Sequence, residues 1–93
     1  MNKREQLYYV LTEYIAGHYD TNTFCYTFYD IFYPNIPKEE LSKQEYTEFN
    51  ALANAVARFS PYTKDIVNDP NAFTSKKDIQ RIAKKAYDRL ISG

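Results

Sequence analysis

Apolar residues recur at helical spacing through most of this chain. Leu7, Val10, Leu11, Tyr14 and Ile15 follow one another at steps that line one face of an α-helix. Asn2, with Glu5 three residues on, reads as the cap, and Gly17 as the stop, because a left-handed residue after a helix is cheapest as glycine. Helix is predicted over residues 3–16. A second run, Thr23 to Tyr33, is denser: six of its eleven residues are Phe or Tyr. Phe, Tyr and Thr favour strands, and a strand would put Phe24, Tyr26 and Phe28 on one face. The helical period fits better. Phe24, Phe28 and Ile31 make one stripe, Cys25, Tyr29 and Phe32 the one beside it, and no other segment alternates as a partner strand should. Asp20 or Thr21 can cap this segment and Pro34 ends it, so helix is predicted over 21–33. With so wide an apolar face it is expected to be the most buried helix.

Ile36 to Glu40 reads as a connector with one helical turn at most. Ser42 and Glu45 then have the spacing of a capping box, and Leu41 with Tyr46 that of a hydrophobic staple. Phe49, Leu52, Ala53, Val56 and Phe59 supply a buried face, and Ser60-Pro61 stops it, giving helix over 43–60. Residues 61–74 form the longest connection, with turn chemistry at Asn68-Asp69-Pro70-Asn71. Tyr62, Ile66, Val67 and Phe73 are expected to tuck back onto the helices. A last helix over 75–92 starts near Ser75, with Asp78 at the favourable N3 position and a stripe of Ile79, Ile82, Ala83, Ala86, Tyr87, Leu90 and Ile91. Four amphipathic helices with mostly short connections predict an all-α fold, an antiparallel four-helix bundle in a single domain, 1–93.

Composition changes this picture little. Ninety-three residues, 44% of them hydrophobic, suit one folded domain. Ten Tyr against six Phe place many rings at the edge of a core or on a contact surface. Charge adds more. The net charge of zero argues against a general nucleic-acid binder, yet residues 18–75 hold eight acidic side chains against four basic, and Lys76 to Arg89 six basic against two acidic. The lone Cys25 excludes an internal disulfide and fits a reducing compartment. There is no signal-peptide run and no long apolar segment. A cytoplasmic protein without a membrane span is expected.

Candidate chemistry is sparse. His18 is the sole histidine and has no partner at triad or metal spacing. Cys25 reads as a small core hydrophobe, although its place in the first turn of a helix leaves a reactive thiolate open. The pairs Glu39-Glu40 and Glu45/Glu48 read as solvated or helix-dipole residues, or as an acidic surface for a cationic partner. The basic last helix could contact nucleic acid but carries no phosphate loop or zinc spacing, and a solvated face explains it as well. Tyr33, Tyr46 and Tyr62 are candidate contact aromatics, or partly buried ones. No enzyme, cofactor or metal is indicated.

Taken along its length, the chain resembles the bacterial self-protective colicin-like immunity family, of the colicin D type. A Leu-rich first helix runs into Tyr14-Ile15-Ala16-Gly17. Asp20-Thr-Asn-Thr-Phe24 opens an aromatic helix ending at Tyr33, and Leu41-Ser42 opens the third, which ends in Ala57-Arg58-Phe59-Ser60-Pro61. A polar loop and a basic amphipathic helix follow. The resemblance implies a four-helix bundle that binds a cognate toxin, a nuclease of colicin or contact-dependent type, and covers its cationic active cleft with acidic groups. The positions flanking Arg58-Phe59-x-Pro61 that would then be acidic are Ala57, Ser60 and Tyr62. The implied toxin-binding residues are Glu45, Glu48, Arg58, Tyr62, Asp65 and Asp69. A nucleic-acid-binding regulator using Lys76 to Arg89, and a dimerisation or adaptor module forming a homodimer through a Tyr/Phe patch, stand as alternatives.

Overall fold

A computed structural model of the chain describes residues 2–33, 40–60, 62–69 and 71–92. Among these it is all-helical, with no strand and one isolated bridge. The helices are α1 (Lys3–Ile15), α2 (Thr21–Phe32), α3 (Lys43–Ala57), α4 (Thr63–Asn68) and α5 (Lys76–Tyr87), the last running into a π-helical turn, Asp88–Ser92. α1 packs against α2 and α5, and α3 likewise against α2 and α5. The radius of gyration, 12.9 Å, is near the ~12 Å expected of a compact chain this long.

The starts lie where the caps put them. Asn2 accepts the Glu5 N–H at 2.8 Å, Asp20 the Thr23 N–H at 2.7 Å and Ser75 the Asp78 N–H at 3.2 Å. At α3 the full capping box forms. Thr21 is not the α2 cap; it is buried and its hydroxyl meets the Tyr14 hydroxyl at 2.9 Å. Gly17 has φ +87°, which lets the chain reverse between α1 and α2 without a Cβ clash.

The aromatic stretch is helical. Phe24, Phe28 and Phe32 form its buried stripe, and Tyr14 stacks on Phe24 with centroids 4.2 Å apart. Phe28 also meets Phe49 of α3 at 6.0 Å. The core continues through Leu7, Leu11, Leu52, Ala53, Ile79 and Ala83. One expectation about α2 is corrected: Tyr29 does not share the buried stripe with Cys25 and Phe32, being 45% exposed. By share of buried residues α2 is still the most buried helix, as expected, with five of twelve, narrowly ahead of α3 with six of fifteen. A tyrosine ring is apolar enough to join a pattern of apolar positions, but its hydroxyl is content in water.

The largest correction concerns the end of α3. The helix stops at Ala57, not at residue 60. The Arg58 and Phe59 N–H groups make short-range bonds to Ala55 and Val56 carbonyls, both at 3.2 Å. The chain then extends: Ser60 N–H donates to the Thr74 carbonyl at 3.1 Å, and Thr74 N–H to the Arg58 carbonyl at 2.8 Å. This pairing satisfies the backbone groups that a longer helix would have used. Within the expected 61–74 connection lies α4. It does not tuck its apolar side chains in as expected; Tyr62 is 68% exposed, Val67 72%, and Phe73 is exposed too. Six residues make too short a helix to bury a wide face, and Ile66 alone of the four is half-buried. The Ile36–Glu39 connector, Pro34, Pro61 and Pro70 lie outside the described residues.

Candidate functional site

Six residues were implied as a binding set, and the fold divides them. Glu45 lies in the first turn of α3 and Arg58 caps the other end, about 20 Å away at 1.5 Å per residue.

Glu45 is buried and wholly engaged. It accepts from the Ser42 N–H at 2.9 Å, from Arg4 Nε at 2.9 Å and from the Tyr8 hydroxyl, and it pairs with Arg4 Nη2 at 2.8 Å. Burial pushes the carboxyl pKa up, but the hydrogen bonds from Arg4, Ser42 and Tyr8 outweigh it and hold the group down at about 2. The same contacts act on the partners. Burial and the Glu45 bond push Tyr8 up to about 12, and the Glu45 bond raises Arg4. Glu48, one turn on, pairs with Arg89 at 3.2 Å. Two carboxylates of the implied acidic surface thus have cationic partners from the first and last helices.

The other four follow from the far end of α3 onward. Ser60 ties two of them: its hydroxyl donates to Asp65 at 2.8 Å and accepts the Tyr62 N–H at 3.2 Å. That pair fixes the first turn of α4 and leaves the Tyr62 ring in solvent. Asp69 is exposed and caps the C-terminal end of α4. Arg58 is exposed over a shallow depression of about 240 Å³ that Asn71, Phe73 and Arg81 also line. With Lys64 exposed between Tyr62 and Asp65, this end is mixed in charge, not acidic.

A surface that the implied set leaves out borders the same end. The outer face of α2 and the last turn of α3 enclose a mainly apolar groove of about 490 Å³. Tyr26, Tyr29, Val56, Ala57 and Phe59 line it, with Cys25 and Asp30. Tyr26 is 74% exposed. The Asp30 carboxylate is exposed, with no ion pair or hydrogen bond among the described residues. Helical period could have found this face, since Tyr26, Tyr29, Asp30 and Tyr33 lie three to four residues apart; counting Tyr29 as core hid it.

The remaining candidates are structural. Cys25 is buried, and burial pushes its thiol up to about 12, so it stays protonated and unreactive as a nucleophile at neutral pH. His18 pairs with Glu13 beside the α1–α2 turn. Of the six cations from Lys76 to Arg89, Arg81, Lys84 and Arg89 have carboxylate partners, which weakens the field of a basic face. Tyr33 and Tyr46 are half-buried against the core. Among the described residues no three His, Cys, Asp or Glu side chains group as a metal site, and no helix is long and apolar enough to cross a membrane. No family model, no curated protein and no solved structure matches this chain.

Proposed function

We propose that this chain is a bacterial immunity protein. It acts in the cytoplasm as a binding protein without catalysis, seizing a cognate toxin domain, a nuclease of colicin or contact-dependent type, and occluding its active site. In this reading α1, α2, α3 and α5 form an antiparallel four-helix bundle, supported by the way α1 and α3 each pack between α2 and α5. α4 and the adjoining rings are what the bundle presents.

The observation that carries the reading is the set of exposed rings that border the C-terminal end of α3. Tyr26 and Tyr29 line the α2–α3 groove and Phe73 the depression beside Arg58, and Tyr62 and Val67 in the segment that follows are exposed too. Exposed apolar clusters mark interaction surfaces, and tyrosine is enriched where interfaces draw most of their energy. The resemblance to colicin-like immunity proteins supports a toxin as the partner. Charge would be supplied by Asp30, Asp65 and Asp69, since Glu45 and Glu48 are already paired. Such rim charges speed association and reject wrong partners.

The test is co-expression with the toxin domain encoded beside this chain. Growth rescue and an isolable complex are expected. A chain that neither binds nor protects against that toxin overturns the reading.

A further inference from the structure

The α2–α3 groove has a feature that its apolar lining does not explain. Asp30 lies in the last turn of α2, which contains no basic residue. A carboxylate there meets the negative end of the helix dipole, an unfavourable placement unless a cation answers it. Among the described residues none does: Lys3, the described cation that reaches this part of α2, donates instead to the Ile31 carbonyl at 3.1 Å, and no described Lys or Arg lines the groove. Tyr26 lies one turn before Asp30, on the same side of the helix. The second ring is braced. Tyr29 packs on Tyr33 with centroids 4.7 Å apart, and the Tyr33 hydroxyl reaches Asn54 of α3 at 3.5 Å.

We infer that this groove receives an arginine-bearing segment of the partner, with the guanidinium laid over the Tyr26 and Tyr29 rings and its N–H fork on the Asp30 carboxylate. Arginine fits each part of the site. Its planar head stacks on aromatic faces and pairs with a carboxylate through two parallel hydrogen bonds, while its methylene stem covers apolar surface. A lysine ammonium, a strongly hydrated point charge, uses the rings less well. An acidic partner would meet Asp30 with like charge, and a purely apolar one would bury it unpaired. The inference rests on the toxin-binding reading for its occupant in the cell and extends that footprint from α4 onto α2.

The test uses the full chain and needs no toxin. Backbone amide shifts are followed by NMR while the blocked peptide acetyl-leucyl-arginyl-leucyl-amide is titrated in, with the citrulline and lysine counterparts run in parallel. Saturable shifts at Tyr26, Tyr29 and Asp30 are expected, with a dissociation constant on the order of 1 mM. The uncharged citrulline peptide should bind at least fivefold more weakly. Asp30→Asn should bring the arginine peptide down to the citrulline level, and Tyr26→Ala should weaken both. Tyr26 and Asp30 are exposed, so neither variant threatens the fold, and an unchanged circular dichroism spectrum checks this. Equal binding of the citrulline or lysine peptide, shifts confined to other regions, or no binding overturns the inference. So would concentration-dependent shifts at Tyr26 and Tyr29 without peptide, which would make the occupant a second copy of the chain. A failed titration leaves toxin protection to stand or fall in its own assay.

Discussion

Glu45 is the residue on which local and distant structure meet. It closes the α3 capping box and also binds Arg4 and Tyr8 of α1. Its folded pKa of about 2 is below the ~4.3 of an unfolded glutamate. Its ionisation therefore contributes stability that is fully present above the unfolded value and is lost as pH falls toward the folded one. Glu45→Gln should flatten the acid limb of the stability profile between about pH 5 and pH 2, read by urea unfolding across that range. At pH 7, Glu45→Ala should cost about 1–3 kcal/mol, because it takes the shared acceptor from Arg4, Tyr8 and the Ser42 N–H at once. Phe28 makes the apolar contrast. It is fully buried among Phe24, Phe32 and Phe49, so Phe28→Ala should cost about 3–5 kcal/mol with no pH dependence of its own.

At the scale of elements, turns and ends decide the outcome. Beyond Gly17 and its two chain neighbours no atom lies within 4 Å of where a Gly17 Cβ would sit, yet its φ is +87°. Gly17→Ala should therefore destabilise through backbone strain alone, by about 1–2 kcal/mol, with a lower thermal midpoint and an unchanged helical spectrum. α4 is held differently. Its start depends on the Ser60 hydroxyl, which links Asp65 to the Tyr62 N–H. Ser60→Ala should raise amide exchange across residues 63–68 while α1, α2 and α3 keep their protection; equal exchange would show that α4 stands without that link. For the same reason Asp65 is a poor position for charge reversal, since a change there disturbs the helix as well as the surface. Asp69, exposed and with no side-chain partner among the described residues, reports on charge alone.

For the whole molecule, the uneven charge along the chain is partly answered within the fold. The acidic middle meets the first helix at Glu45–Arg4 and the last at Glu48–Arg89. The second pair is half in solvent on the arginine side, so its coupling in a double-mutant cycle of Glu48→Gln and Arg89→Gln should not exceed about 1 kcal/mol. What remains for a partner is the α3 C-terminal end and the α2 groove. On the proposed immunity role, Asp69→Lys and Tyr62→Ala should each weaken toxin binding about tenfold, or ~1.4 kcal/mol, without a loss of stability. Unchanged affinity in both would remove α4 from the footprint.

The aromatic stretch was legible as a helix because Phe24, Phe28 and Phe32 repeat at the period of one. The caps at Asn2, Asp20, Ser42 and Ser75 and the turn at Gly17 were legible because each acts within about four residues of itself. The sequence by itself thus determined the long helices, their starts and most of the core. Tertiary structure decided the rest. The partners of Glu45 lie 41 and 37 residues away, so no local spacing reveals them. α3 ends early because Arg58 and Ser60 pair with Thr74, a contact that exists only once α5 is docked. Tyr29 faces solvent because α1 and α3 pack on the Phe stripe and leave the neighbouring face uncovered. A side chain's own preference cannot fix that choice when one ring is at home both in a core and in water.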